Sequence, residues 1–254
     1  KGKSDDEKKE IYKKHIKEYD QSQLVDKIEN RVAAIDLNPN FIGFSITDFN
    51  SNNLIYSVCY NLEEINLKTG KSSTDNKYQN RKRTHEIIHI YKDIFKLCEH
   101  FKVSKFGLED LEIKEKVNTE SKEFNRQTKN VWNRTLQTNQ IIKHCNILGI
   151  KLELVNPIYS SFQGNLIFGD YDPIASSRII AERAFRRYEK GFSIYQGLER
   201  INSEKLTYLL SENISDTSSW KQLYTKIGKL SYRNKEISQS KNFKHRKSKV
   251  ILVI

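Results

Sequence analysis

Three apolar runs within residues 31–60 lie too close together for anything but strands joined by short turns. Arg31-Val-Ala-Ala-Ile-Asp36 reads as a buried strand. Phe41-Ile-Gly-Phe-Ser-Ile-Thr-Asp48 reads as a second, and Leu54-Ile-Tyr-Ser-Val-Cys-Tyr60 as a third. Asn50-Ser-Asn-Asn53 between the last two is a turn signal. The three form an antiparallel meander. Two later strands are predicted, each following a helical pattern, so that residues 84–190 alternate helix and strand. Ile87, Ile88, Tyr91, Ile94, Phe95, Cys98 and Phe101 recur at helical spacing over 84–101. Val103 to Leu108 returns to strand and ends at Glu109. A helix is expected over 128–148, with Val131, Trp132, Leu136, Ile141, Ile142 and Cys145 on its apolar side and Gly149 as its stop. Lys151–Val155 is a fifth strand, and 174–190 a third helix. Strands joined through helices run parallel, as right-handed crossovers. The order β-β-β-α-β-α-β-α therefore predicts an α/β fold: a mixed five-stranded sheet flanked by helices.

The flanks read differently. Residues 1–30 are charged, with apolar positions such as Ile11, Ile16, Leu24 and Ile28 spaced for an amphipathic helical segment. Residues 61–83 are polar, carry Gly70 and the basic run Arg81-Lys-Arg83, and are expected to be an exposed segment. Residues 191–254 form a basic extension, with ten basic residues against one acid, Glu236, between 221 and 250. That stretch suits a solvated tail or a nucleic-acid-binding arm equally.

The net charge is +12. A basic protein of this kind most often meets a polyanion, nucleic acid above all; the plain alternative is a surface kept basic for solubility. Cys59, Cys98 and Cys145 are far apart and form no paired motif, so neither a disulfide framework nor a structural zinc is expected. An intracellular, cytoplasmic location follows, at the nucleoid if the source is bacterial. No apolar stretch is long enough to span a membrane, and the charged N-terminus lacks a signal sequence. Methionine is absent even at position 1, as in a fragment or trimmed chain.

Three acids stand at positions this topology makes informative. Asp36 and Glu109 end strands that would be neighbours in the sheet, and Asp172 precedes the last helix. Taken singly, each has an ordinary explanation: an Asp at a strand end is usually a turn residue, and one before a helix an N-cap. Together they would repel by about 4 kcal/mol per pair at about 4 Å and an effective dielectric of 20. Such a cluster persists when protonated or bridged by cations, and oxygen ligands favour Mg²⁺ or Mn²⁺, two ions in a phosphodiester-cleaving site. Asp170 rivals Asp172. Asp110 rivals Glu109, although successive strand residues face opposite sides. A separate motif, His85-Glu-Ile-Ile-His89, matches the zinc metalloprotease pattern without an obvious third ligand. Trp132 and the tyrosines could stack on bases but suit a core as well.

These motifs resemble the RuvC-type, RNase H-like nuclease domain of transposon-encoded TnpB proteins and the type V CRISPR effectors. Ala33-Ala-Ile-Asp36 looks like the first motif, apolar-Gly-Ile-Asp. Leu108-Glu-Asp-Leu111 looks like the second, Ile-Glu-Asp-Leu. Val155-Asn-Pro-Ile-Tyr-Ser-Ser161 is similar to Val-x-Pro-x-Tyr-Thr-Ser, and Asp172-Pro-Ile-Ala-Ser176 to Asp-x-Asn-Ala-Ala. The resemblance covers about residues 31–188. It implies a nuclease acting on DNA, with Asp36, Glu109 and Asp172 as metal-binding catalytic acids and Ser160 and Ser161 near the scissile phosphate. Arg81, Lys82, Arg83, Lys129, Arg134, Lys244, Arg246 and Lys247 are the cations expected on the nucleic-acid backbone. The departures are specific. Only ten residues separate Ser161 from Asp172, so the family's four-cysteine zinc finger is absent, and Ile174 stands where the third motif has asparagine. Thirty residues before the first motif are too few for the family's guide-RNA-binding region, so a guide RNA would be a partner only within a larger protein. The alternative is a relative that binds nucleic acid without cutting it, as a repressor or part of an assembly.

Overall fold

The computed structural model describes residues 27–38, 41–62, 73–111, 134–201 and 217–233, with side chains described for all of these but 73–80 and 227–233. Its strands are β1 (Ile28–Leu37), β2 (Phe41–Asp48), β3 (Asn53–Asn61), β4 (Val103–Glu109) and β5 (Lys151–Val155). Its helices are α1 (Ser73–His100), α2 (Arg134–Leu148), α3 (Ser160–Ile167), α4 (Asp172–Arg186) and α5 (Trp220–Arg233). The sheet order is β3-β2-β1-β4-β5. β1–β2 and β2–β3 are antiparallel, while β1–β4 and β4–β5 are parallel. The mixed five-stranded sheet flanked by helices, predicted from the element order, is the one observed.

Because helices cover both faces, β1 shows no polar alternation: Val32 through Leu37 are all buried. On one face Ala33, Ile35, Phe44, Ile46, Phe106 and Leu108 pack against Tyr91, Ile94, Phe95 and Cys98 of α1 and Ile141 and Cys145 of α2. The Tyr91 hydroxyl donates to Gln137 Oε1 at 3.0 Å, pairing the polar atoms buried between these two helices. On the other face Val32, Ala34 and Val155 meet Ile180, Ala181 and Ala184 of α4. That face is built from small residues. A Cβ on Gly107 would lie 3.0 Å from the Ala184 methyl, and one on Gly43 only 2.0 Å from the Pro173 carbonyl oxygen. α4 therefore lies directly on the strands, with its first turn against β2.

Several boundaries differ from expectation. Residues 73–83 belong to α1 rather than to an exposed segment. They lack an apolar period, but Asn, Lys, Gln and Arg tolerate a helix that later turns anchor in the core. Ile28–Asn30 opens β1 rather than closing a helical segment; residues 1–26 lie outside the described residues. Ile142 faces outward, 41% exposed, because Gln137, Ile141 and Cys145 form the buried stripe of α2. α4 starts at Asp172 and stops at Arg186, four residues short of the expected end at 190. α3 (Ser160–Ile167) is not among the expected helices; its two opening serines suit a turn as well. Gly164 is required there, because a Cβ would sit 2.5 Å from the Ala175 carbonyl carbon of α4. Part of the C-terminal stretch is also built in: Trp220 and Leu223 of α5 bury with Leu166 and Ile201.

Gly43 is the most demanding contact of this arrangement. Gly43→Ala is expected to lower stability by about 1–3 kcal/mol or more through overpacking against Pro173. Urea unfolding of the two proteins measures it, and an unchanged midpoint would show that α4 does not seat on β2 this closely.

Candidate functional site

The register of the sheet places the first two acids. Ala34 pairs with Gly107 and Ile35 with Leu108, so Asp36 and Glu109 come next, side by side at the carboxyl ends of adjacent parallel strands. Side chains two apart share a face. Asp36 therefore faces the α4 side with Ala34, and Glu109 does so with Gly107. Asp110, one residue on, is exposed, while Glu109 is buried. The third acid arrives with the helix. Asp36 pairs with Gly43, the glycine on which Pro173 rests, so the first turn of α4 lies over Asp36. Asp172 is the first residue of that turn, where the helix dipole favours a carboxylate; Tyr171, not an aspartate, is the N-cap. Asp170 is held elsewhere, paired with Arg178, whose guanidinium stacks on Phe168 at 3.7 Å.

Neighbouring groups hold the acids. Ser160 Oγ donates to Glu109 Oε1 at 2.5 Å, and Asn165 Nδ2 donates to Asp172 Oδ1 at 2.6 Å. Both donors come from α3, whose entry is forced by Tyr159 in the left-handed region at φ 62°. Arg183 of α4 is buried beneath them. It donates to the Asn156 and Ile158 carbonyl oxygens and to Gln163 Oε1, fixing the β5–α3 connection.

The electrostatics follow from this crowding. Burial raises the Asp36 carboxyl well above the usual range, and the charges of Glu109 and then Asp172 raise it further. Ser176 opposes this weakly; its hydroxyl stands near Asp36 without completing a hydrogen bond. Burial also raises Glu109, against the Ser160 hydrogen bond and the charges of Arg183 and Arg134. Arg183 is pulled down to about 10 by burial, with Glu109 the main charge acting the other way. Asp36, Glu109 and Asp172 thus share one electrostatic environment. Their donor set is all oxygen, which fits Mg²⁺ or Mn²⁺. As the side chains stand, no three His, Cys, Asp or Glu among the described residues are arranged to hold an ion. Closing a cage would turn carboxylates inward from Ser160 and Asn165.

The other expected residues are spread more widely. Ser160 is buried at the acids, and Ser161 is half-buried, its carbonyl oxygen accepting from Asn165 Nδ2. Arg134 is half-buried at the start of α2, with its charge acting on Glu109 and Asp110. Arg81 and Lys82 are exposed on α1, but Arg83 is buried, so the three do not form one patch; α1 covers the face opposite the acids. Lys129, Lys244, Arg246, Lys247 and Trp132 lie outside the described residues. Sequence reasoning missed Asn165 and Arg183. Arg183 had a visible signal, being a cation four residues after Ile179 on the inward stripe of α4. A cleft of about 640 Å³ opens beside the acids, lined by Asp110, Asn156, Pro157, Arg183, Arg187 and Phe192 among others. No described helix is long and apolar enough to cross a membrane.

No family model matches the chain, and no curated protein does. Among solved structures, it is similar to T. thermophilus RuvC in complex with a Holliday junction substrate, at 12% identity and a TM-score of 0.41, over 62% of this chain and 94% of that one.

The raised Asp36 carboxyl gives a pH dependence with a definite sign. The folded state holds that proton to higher pH than the unfolded chain, so it binds more protons above the ordinary carboxylate range, and stability falls as pH rises through that window. Asp36→Asn removes the penalty. Thermal unfolding in EDTA should find the variant more stable than the parent at pH 8, with the gap narrowing toward pH 4. A variant less stable at pH 8 would contradict the crowded-acid account.

Proposed function

We propose that this chain is a metal-dependent nuclease, resembling the RuvC-type domain of TnpB proteins and acting on DNA. One observation carries the reading: Asp36 and Glu109 end adjacent parallel strands on one face, and the first residue of the helix seated on that face is a third acid, Asp172. The four ordered motifs of the sequence support the TnpB relation. Residues 31–190 form the proposed nuclease domain and 191–254 its basic extension, part of which is tied to the domain by Trp220.

Mg²⁺ or Mn²⁺ would be held by Asp36, Glu109 and Asp172, and when bound, two such ions supply an activated water and charge stabilisation at the leaving oxygen of a phosphodiester. The protein's own groups prepare that centre. Ser160 orients Glu109, and Asn165 orients Asp172. Arg183 fixes the loop from which Ser160 is presented and opposes the accumulated negative charge. Arg134 beside Glu109 and Arg187 on the adjoining cleft are placed to meet phosphates, while Arg81, Lys82 and the basic C-terminal residues would engage a backbone running past the domain. Those contacts make binding fall steeply with salt.

A second reading rests on Ile174. The motif's asparagine is replaced by an apolar side chain buried with Phe41 and Cys59, which suits a relative that binds nucleic acid without cutting it.

Incubation of single- and double-stranded DNA with the protein and Mg²⁺ or Mn²⁺ separates the two. Cleavage is expected, abolished by EDTA and reduced about a thousandfold or more in Asp36→Ala, Glu109→Ala and Asp172→Ala, as the several kcal/mol contributed by bound ions requires. Tight binding with no cleavage by the parent protein would establish the second reading instead.

A further inference from the structure

The motif left over by this function is His85-Glu86-x-x-His89. Its two histidines lie one turn apart on α1, both exposed, with ring centroids 4.3 Å apart and their Nε2 atoms 3.1 Å apart. We propose that they form a binding site for one transition-metal ion of the zinc, nickel or copper class, separate from the acid cluster.

Two imidazole nitrogens at this distance can share a proton or an ion. An ion about 2.0–2.1 Å from each would subtend an angle of about 100°, between the octahedral and tetrahedral values. The separation of the two nitrogens is therefore that of a chelate. Its donors select the metal. Imidazole suits zinc, nickel and copper, whereas Mg²⁺ and Mn²⁺ are drawn to carboxylate oxygen. Location separates the two sites as well: α1 packs on the sheet face opposite the one that bears Asp36 and Glu109.

The surroundings define what such a site can do. Among the described residues no third His, Cys, Asp or Glu completes the set, so water fills the remaining positions. A catalytic zinc site takes three protein ligands, and among the described residues the pair supplies two, those of a binding site. Exposed Glu86 and Asp93 offset part of the charge of Arg81, Lys82 and Lys92 on the same helix; Asp93 also pairs with Lys96 at 3.6 Å. A bound ion clips two successive turns of α1 together. Because it binds the folded helix and not the separated histidines of an unfolded chain, it raises the unfolding temperature in proportion to its occupancy.

Calorimetric titration of the full chain with Zn²⁺ and Ni²⁺, in excess Mg²⁺, tests this. One ion per chain is expected, undiminished by Mg²⁺, with a matching rise in unfolding temperature. His85→Ala and His89→Ala each lose that binding and that rise, while His100→Ala and Asp36→Asn keep both. Both target side chains are exposed, so the variants should fold. Cu²⁺ bound to the parent should show two imidazole nitrogens by electron paramagnetic resonance. Binding that survives both histidine variants, binding lost in Asp36→Asn, or no stoichiometric binding would overturn the proposal. None of these results depends on whether the chain cuts DNA.

Discussion

The seating of α4 on a strip of small residues is the contact on which the rest of the site depends. Ala34, Gly43 and Gly107 leave at most a methyl between the strands and the helix, and Pro173 occupies the space a Cβ on Gly43 would need. Larger residues there would lift the helix and carry Asp172 away from Asp36. Gly164 extends the same logic to the next layer, letting α3 approach the backbone of α4 at Ala175. That second approach delivers Ser160 and Asn165 to the acids. The site is thus assembled from two successive close approaches, α4 on the strands and α3 on α4, with Arg183 tying the loop between β5 and α3.

The charges oppose this arrangement. Two buried acids beside a half-buried third destabilise the folded chain unless protonated or neutralised, and among the described residues Arg183 and Arg134 bring positive charge to Glu109. Arg183 is itself buried, with its planar fork spread over two carbonyl oxygens and Gln163. Its geometry commits it to the β5–α3 loop, so it opposes the acid charge without quenching it. The residual negative potential lies at the carboxyl ends of parallel strands, the edge where open α/β sheets bind ligands. The metal-dependent reading proposed above rests on this crowding of carboxyl oxygens at one sheet edge.

What could be read from the sequence was set by how strongly local pattern and tertiary role agree. β2 and β5 were legible to the residue: β2 is buried almost throughout and reads as an apolar run, while the edge strand β5 reads as a short alternation, Lys-Leu-Glu-Leu-Val. Asp36 and Glu109 followed, since strand order alone makes them neighbours. α3 was illegible. Its eight residues include two serines and a glycine that serve, respectively, a buried acid and a helix crossing, so the tertiary demands erased the helical pattern. The first turns of α1 were hidden for the opposite reason: they carry no apolar stripe to betray them, and the helix is anchored from its later residues. Sequence favoured Asp172 over Asp170 through its motif alone; the physical reason, Arg178 reaching back to hold Asp170, needs the fold.

Position 174, where the relation proposed above would put an asparagine, is occupied by a packed apolar side chain. Ile174 fills an apolar pocket with Phe41 and Cys59, with Tyr171 closing the side. An asparagine in that pocket would bury an amide with apolar neighbours, at a cost of about 1–3 kcal/mol unless it found partners. The isoleucine instead adds apolar area to the turn that presses Pro173 onto Gly43, so the substitution strengthens the seating that positions Asp172. An amide still reaches that acid, from Asn165 on α3. On the proposed relation the third motif is altered in sequence, while Asp172 keeps its place at the start of α4 and a side-chain donor, Asn165, to orient it.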